Sequence, residues 1–114
     1  MRIIVCGGRD FSDVVFVNKI LDMIHMVNNI TEVIEGGANG ADFIGASWAK
    51  TKGIPTKTIQ ADWAKHGRKS GPIRNIAMLK ENPHIVIAFA GGKGTAHMIK
   101  IAKEKGTLIY EPKQ

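Results

Sequence analysis

Short apolar runs alternate with helical patterns along the whole chain, and this alternation limits its fold more than any other feature. The runs are mostly β-branched, as expected for strands that are covered on both faces. A helical pattern separates each run from the next, which is typical of parallel strands joined by crossover helices. The sequence therefore predicts an α/β fold with a doubly wound parallel sheet of about five strands. The predicted strands cover residues 3–6, 32–34, 54–59, 85–89 and 107–110.

Four helices are predicted between these strands from apolar spacing and from residues that start or stop helices. In the first, Val14 begins an apolar face, and Ser12 or Asp13 is placed to cap the start. In the second, Phe43 and Trp48 are expected to point inward, and a Gly-x-Pro sequence stops the helix. The second, third and fourth predicted helices cover residues 40–52, 71–81 and 95–105.

Length and composition exclude several classes of protein. The 114 residues suit one domain with a single core, so we predict one domain spanning residues 1–114. The lone cysteine, Cys6, excludes an internal disulfide, and the four histidines lack the spacing of metal ligands, so no metal or cofactor is predicted. The only N-terminal apolar run is too short for a signal peptide or membrane span, which predicts a cytoplasmic protein without a membrane partner.

Unusual residues collect in the loops that follow the predicted strands. In a parallel sheet these loops emerge at one edge, and ligands bind there where the strand order reverses. Glycines dominate three loops, which lets a ligand approach the main chain closely, while cations and a tryptophan fill the fourth. The net charge of +6 favours an anionic ligand, either a phosphate compound or nucleic acid. The loops cover residues 7–11, 35–42, 61–75 and 91–95.

The loop at residues 91–95, with the sequence GGKGT, is the predicted phosphate site. A strand that breaks into glycines and restarts as a helix leaves several main-chain amides unpaired and pointing one way, which favours an anion. The alternative is a tight turn that only connects strand to helix. Thr95 is interpreted as a helix N-cap that also faces the phosphate. The predicted phosphate-binding residues are Gly91, Gly92, Lys93, Gly94 and Thr95.

Two common nucleotide-binding motifs are absent. The dinucleotide fingerprint G-x-G-x-x-G would follow the first strand, but residues 7–10 lack its second and third glycines. The P-loop requires Gly-Lys followed by Ser or Thr, whereas Gly94 follows Lys93. A standard nicotinamide dehydrogenase and a Walker-type ATPase are therefore not expected.

Side chains in the other loops complete the predicted site. Arg74 is expected to contact a phosphate, while Trp63 either stacks on a base or covers the sheet edge. Asp10 and Asp42 are interpreted as helix-start residues or as partners of ribose hydroxyls. Outside the GGKGT loop, the predicted ligand-binding residues are Gly7, Gly8, Arg9, Asp10, Gly36, Gly37, Asp42, Trp63, Lys69, Arg74 and Asn75. By contrast, His97 is interpreted as a surface residue.

Four segments in the same order resemble the YspA-type, cpYpsA-related branch of the SLOG superfamily. They are the GGRDF start, the GGANGAD loop, ADW with the basic HGRKSGPIRN segment, and the GGKGT turn. Relatives include the Lonely Guy phosphoribohydrolases and the DNA-processing protein A domain. The resemblance implies a Rossmann-like three-layer sandwich that binds a nucleotide or nucleotide-derived molecule over the GGxGT loop. It also implies a homo-oligomer.

The resemblance carries over only in part to catalysis. Lonely Guy proteins place an arginine four residues before a methionine, which Arg74 and Met78 match. Their GGxGTxxE loop ends in a glutamate that is essential for cleaving the N-glycosidic bond, and Met98 stands at that position here. A thioether can neither transfer a proton nor stabilise an oxocarbenium-like cation. A hydrolytic mechanism would need a carboxylate from another loop, either Glu35, Asp42, Asp62 or Asp10.

Three functions remain open on these grounds. The missing glutamate favours a sensor or sequestering protein that binds a nucleotide-derived phosphate ligand. The first alternative is a nucleoside monophosphate phosphoribohydrolase, with Arg74, Glu35 and Asp62 as its candidate catalytic residues. For Glu35, which ends a buried strand, hydrogen bonds to neighbouring loop amides are the structural alternative. The second alternative function is a module that binds single-stranded nucleic acid, which the positive charge supports.

Overall fold

The structure, a computed structural model that describes all 114 residues, contains one sheet of five parallel strands. In chain order these are β1 (Arg2–Cys6), β2 (Glu32–Glu35), β3 (Thr56–Thr58), β4 (Ile85–Ala88) and β5 (Leu108–Tyr110). They lie side by side in the order β3-β2-β1-β4-β5. With helices on both faces, this is a Rossmann-like three-layer sandwich, and the predicted fold is confirmed.

Five helices and one 3₁₀ turn connect the strands. The helices are α1 (Val14–Asn28), α2 (Ala41–Thr51), α3 (Trp63–His66), α4 (Ser70–Leu79) and α5 (Lys93–Lys105), and the 3₁₀ turn covers Gly67–Lys69. None of them combines the length and apolar character that crossing a membrane requires. The sequence did not predict α3 or the 3₁₀ turn, because the basic segment there has no apolar periodicity.

Two apolar cores lie on opposite faces of the sheet. Side chains alternate between the faces of a strand, so Ile3 and Val5 of β1 pack with α1 and α2 in one core. Ile4 and Cys6 pack with α4 and α5 in the other. Because β1 and its neighbours are buried on both faces, the middle of the sheet is a rigid support for the loops at its carboxyl edge.

Helix ends agree with the capping signals in the sequence. The Asp13 carboxylate accepts a hydrogen bond from the Phe16 amide at 3.0 Å and so caps α1. At the other end of the chain, Gly106 adopts a left-handed conformation with φ of 82° and terminates α5. These signals were readable because each depends on residues close in sequence.

The structure corrects several local expectations. The third strand is a short, exposed edge strand rather than a covered one, because only residues Thr56–Thr58 pair with β2. Phe43 is 65% exposed, since the buried side of α2 contains its helical neighbours at positions 41, 44, 45, 48 and 49. Val14 is also exposed, because it starts α1 ahead of the buried residues. Finally, Gly92 caps α5, so Thr95 lies in its first turn and is not the N-cap.

Candidate functional site

A cleft of about 860 Å³ opens at the carboxyl edge of the sheet, where β1 and β4 lie side by side. The strand order reverses here, since β2 continues on one side of β1 and β4 on the other. Such a crossover leaves a crevice between the loops, the usual ligand site of open α/β sheets. The cleft is lined by these predicted site residues: Gly7, Gly8, Arg9, Asp10, Asp42, Trp63, Arg74, Asn75, Gly91, Gly92, Lys93, Gly94 and Thr95.

Five predicted site residues lie outside the lining of this cleft. Gly36 and Gly37 line a smaller adjoining cavity of about 310 Å³, which shares Arg9, Trp63 and Arg74 with the cleft. The remaining three residues line neither cavity: Glu35, Asp62 and Lys69. Glu35 bonds within its own loop, and Asp62 caps a helix.

The carboxylates of Glu35 and Asp62 hold local structure. Glu35 is buried; one oxygen accepts from the Gly37 amide at 2.8 Å, and the other accepts from the Thr58 hydroxyl. Asp62 caps α3 by accepting from the Lys65 amide at 3.1 Å. Neither group is therefore placed at the cleft where a ligand would react.

The first turn of α5 presents unpaired main-chain donors to the cleft. The first amide bonded within the helix is that of Ala96, which donates to the Gly92 carbonyl at 3.0 Å. The amides of residues 92–95 donate to no acceptor in the protein. Gly92, Lys93 and Gly94 are exposed and line the cleft, and a Cβ added at Gly92 or Gly94 would meet no other part of the chain within 4 Å. The arrangement has the donors and the positive dipole end that an anion needs.

Other glycines in the loops at this edge of the sheet allow the loops to pack closely. The Gly8 amide donates to the Ala90 carbonyl at 2.9 Å, which joins the loops after β1 and β4. A Cβ on Gly91 would lie 2.7 Å from the Gly8 nitrogen and 2.2 Å from the Thr95 hydroxyl. Gly40, with φ of 77°, would place a Cβ only 2.1 Å from the Gly8 carbonyl oxygen. Side chains at these positions would push the three loops apart.

Asp42 is a buried carboxyl group on the wall of the cleft. Burial raises the pKa of Asp42 from 3.8 to about 6, although hydrogen bonds from the Gly36 and Ala38 amides and the charge of Arg74 act in the opposite direction. The Gly36 amide lies 2.9 Å from the carboxylate. Asp42 therefore titrates close to neutral pH, which suits a group that gives or takes a proton.

Positively charged side chains line the rest of the cleft wall. Arg74 donates through Nη1 to the Gly36 carbonyl at 2.8 Å and through Nε to Asn75 at 3.2 Å, while Nη2 has no partner in the protein. The Arg9 guanidinium lies over the Trp63 ring, 5.6 Å from its centroid. Trp63 is 52% exposed, so its ring remains available for stacking. Lys93 adds a further charge beside the α5 terminus.

Several lining residues were not among the predicted ones. His97 lines the cleft, which corrects its interpretation as a surface residue. Its position one turn after Lys93 was the available signal, because residues four apart share a helix face. Arg68 and Cys6 also line the cleft. Burial raises the pKa of the Cys6 thiol and so disfavours its thiolate form.

Comparison with known proteins fits this architecture. The sequence profile described as the YspA, cpYpsA-related SLOG family matches residues 1–66, more than half of the chain. This chain belongs to that family. The SLOG protein is also similar to the Gene 61 protein of Mycobacterium phage D29, with 33% identity over 116 residues that cover 95% of this chain and 93% of the phage protein. No solved structure matches it.

SLOG membership confirms the resemblance seen in the sequence motifs and indicates a ligand-binding role related to nucleotides. The matched residues include the loops after β1 and β2, and therefore Arg9 and Asp42. The GGKGT loop lies beyond the matched segment, so its role depends on its own geometry.

Proposed function

We propose that this SLOG protein binds a nucleotide or nucleotide-derived ligand with a phosphate group on the first turn of α5. The observation that carries the proposal is the set of four unpaired amides at residues 92–95, open to a large cleft. A phosphate there would accept hydrogen bonds from donors that otherwise have no protein partner, at the positive end of a 13-residue helix.

The rest of the cleft supplies contacts for a sugar and a base. Its volume of about 860 Å³ falls in the range of small-molecule sites. Arg74 has a free Nη2 for a second phosphate oxygen, and Asp42 can accept from ribose hydroxyls. Trp63, backed by the Arg9 guanidinium, offers a face on which a base can stack.

A sensor or sequestering role is the form of this proposal that the chain supports best. Met98, at the position of the Lonely Guy glutamate, is 1% exposed and packs in the core between α5 and the sheet. The ligand therefore meets no carboxylate from that helix turn, and cleavage would need a group elsewhere in the cleft.

Isothermal titration calorimetry against nucleoside mono-, di- and triphosphates, ADP-ribose and dinucleotides tests the proposal. We expect Thr95→Ala and Arg74→Ala each to weaken the best ligand at least tenfold, which corresponds to about 1.4 kcal/mol. The matched control is Thr51→Ala, because Thr51 lies on α2 with its hydroxyl bonded to the Ser47 carbonyl outside the cleft. Unchanged affinity in both cleft variants would place the ligand elsewhere.

A second candidate function, N-glycosidic cleavage of a nucleoside monophosphate, is favoured by Asp42 alone. Its pKa of about 6 leaves part of the population protonated near neutral pH, so the group could protonate a departing base while water adds to the sugar carbon. Chromatographic detection of free base distinguishes this enzyme from a binder. We expect any base release to be lost in Asp42→Asn; wild-type protein that binds but releases no base supports the sensor role.

Self-association is a separate proposal. The outward face of α1 exposes Val15, Met23, Met26 and Val27, each more than half accessible. Apolar side chains grouped in this way favour contact with another protein surface. Sedimentation equilibrium would test it, with Met26→Lys expected to lower any oligomer population.

In the calorimetric panel, a short single-stranded oligonucleotide that binds more tightly than every mononucleotide would instead support the nucleic-acid alternative.

A further inference from the structure

Asn75, on α4, links this helix to the start of α5 through two hydrogen bonds and makes a third with its neighbour Arg74. The side chain is buried, with 5% of its surface exposed. Its Nδ2 donates to the Gly94 carbonyl at 3.1 Å and lies 3.1 Å from Nδ1 of His97, while its Oδ1 accepts from Nε of Arg74 at 3.2 Å. Both amide hydrogens and one lone pair of the oxygen therefore have partners.

The neighbours of Asn75 fix the orientation of its amide. Rotating the amide by half a turn would place its oxygen against the Gly94 carbonyl oxygen and its NH₂ group against the Nε–H of Arg74. Both contacts would then be repulsive, so the NH₂ group must face α5. It follows that Nδ1 of His97 is an acceptor and carries no proton. In the neutral imidazole the proton then lies on Nε2.

The His97 ring is placed to use that proton. His97 lines the cleft, and its Nε2 has no hydrogen-bond partner in the protein. Side chains in an α-helix lean toward the N-terminus, so the ring is directed back along α5 toward Lys93, one turn earlier. His97 and the unpaired amides of residues 92–95 therefore line the same cleft.

We propose that Asn75 is a positioning residue that holds His97 in its Nε2–H tautomer, so that His97 donates a hydrogen bond to a phosphate oxygen of the ligand. The inference rests on the proposed function, because it places the phosphate on the first turn of α5. It adds a side-chain donor to the main-chain donors. The ligand group that binds at this position is therefore an oxygen that accepts hydrogen bonds.

Nitrogen-15 NMR of the ligand-free protein tests the positioning step alone. At a pH where the imidazole is neutral, we expect Nδ1 of His97 to be unprotonated and to show a scalar coupling to Nδ2 of Asn75 across their hydrogen bond. In Asn75→Asp, a carboxylate oxygen replaces the NH₂ donor, so the proton should move to Nδ1. A protonated Nδ1 in the wild type, or absence of the coupling, would overturn the inference even if Asn75→Asp does not fold.

Calorimetry with AMP and with inorganic phosphate tests the donor step. His97→Phe keeps a ring of similar shape without a donor, and we expect it to weaken both probes about tenfold. His66→Phe is the matched control, because His66 lies outside the cleft lining. Loss for AMP only would assign the donor to the ribose and overturn the phosphate contact; equal affinity for both probes would overturn the donor role. Wild-type protein that binds neither probe while showing the coupling would contradict the proposed function but not the tautomer.

Discussion

Two glycine-rich loops at the same edge of the sheet differ in what they do with their main-chain donors. In the loop after β2, the Gly36 amide donates to Asp42 and the Gly37 amide to Glu35. In the loop after β4, the amides of residues 92–95 have no acceptor in the protein. In GGANGAD, carboxylates of the chain accept from the Gly36 and Gly37 amides, whereas in GGKGT no protein group accepts from the amides of residues 92–95.

The acidic residues explain this difference. Glu35 and Asp42 border the first loop, where they occupy its amides and add negative charge that opposes an anion. The first turn of α5 contains no acidic residue and begins with Lys93. The loop after β4 therefore keeps amides that an anion could reach, whereas the Gly36 and Gly37 amides of the loop after β2 are already bonded to carboxylates.

Exchanging one glycine in each loop for alanine should have opposite effects on stability. Gly40→Ala should lower the free energy of unfolding by roughly 4 kcal/mol, because it combines a strained positive φ with a Cβ that contacts the Gly8 carbonyl. Gly94→Ala should raise it by about 0.5 kcal/mol, since Gly94 is helical and open. Urea denaturation measures both, and equal losses would mean that the two loops are packed alike.

The burial of Asp42 beside the first loop predicts a pH dependence of stability. Its folded pKa of about 6 lies above the unfolded value of 3.8, so the folded protein holds the proton more tightly. Stability from this group is present below pH 3.8 and is lost as pH rises through about 6, by about 3 kcal/mol in total. We expect wild type to lose this amount relative to Asp42→Asn in urea denaturation over that range.

Asp22 is the matched control for that titration. Hydrogen bonds from Trp48 and Lys52 lower the pKa of Asp22, so its stabilising effect should fade as pH falls, opposite in sign to Asp42. In Asp22→Asn, the loss of stability that this carboxylate causes as pH falls should therefore be absent. Parallel pH profiles for wild type and Asp42→Asn would show that Asp42 is not desolvated by the fold.

Ligand affinity should depend on the loop after β4 far more than on the loop after β2. Gly94→Ala adds a methyl group to the exposed turn that lines the cleft, so we expect a tenfold or greater loss for the best ligand, about 1.4 kcal/mol, without loss of stability. Calorimetry on the variant, with its unfolding curve as the control for folding, measures this. Wild-type affinity in Gly94→Ala would mean that the phosphate does not approach these amides.

The smallest effect is expected from side-chain charge at the same helix end. Lys93→Ala should weaken the ligand about two- to threefold at low salt and less at high salt, because an exposed charge is screened. Lys100→Ala, on the same helix but outside the cleft lining, should have no effect. Equal losses for both would indicate a general charge effect rather than a local contact.

Sequence patterns were sufficient for the fold because the relevant signals are local. The β-branched runs became β1, β2 and β4, and Asp13 and Gly106 ended helices where capping residues should. The edge position of β3 was not readable, since an apolar run does not reveal which strand lies at the edge. The short helix α3 depends on the Asp62 cap and on a hydrogen bond from the Ser70 hydroxyl, not on apolar spacing.

The site was predicted less completely, since its determinants join residues far apart in sequence. Sequence motifs predicted that Arg9, Arg74 and the GGKGT loop lie at the same edge of the sheet, and all of them line one cleft. No local pattern could show that Asn75 contacts His97 across 22 positions, or that Glu35 turns away toward Thr58. Whether a loop amide is free depends on such contacts, so the sequence predicted the GGKGT loop as the phosphate site but could not show that carboxylates occupy the Gly36 and Gly37 amides.

The most direct measurement is a two-dimensional amide ¹H–¹⁵N NMR titration with AMP. We predict that the amides of residues 92–95 shift downfield more than any others, as they begin to donate to the phosphate, while the Gly36 and Gly37 amides keep their positions. Large shifts at Gly36 and Gly37 with unmoved resonances at residues 92–95 would contradict it.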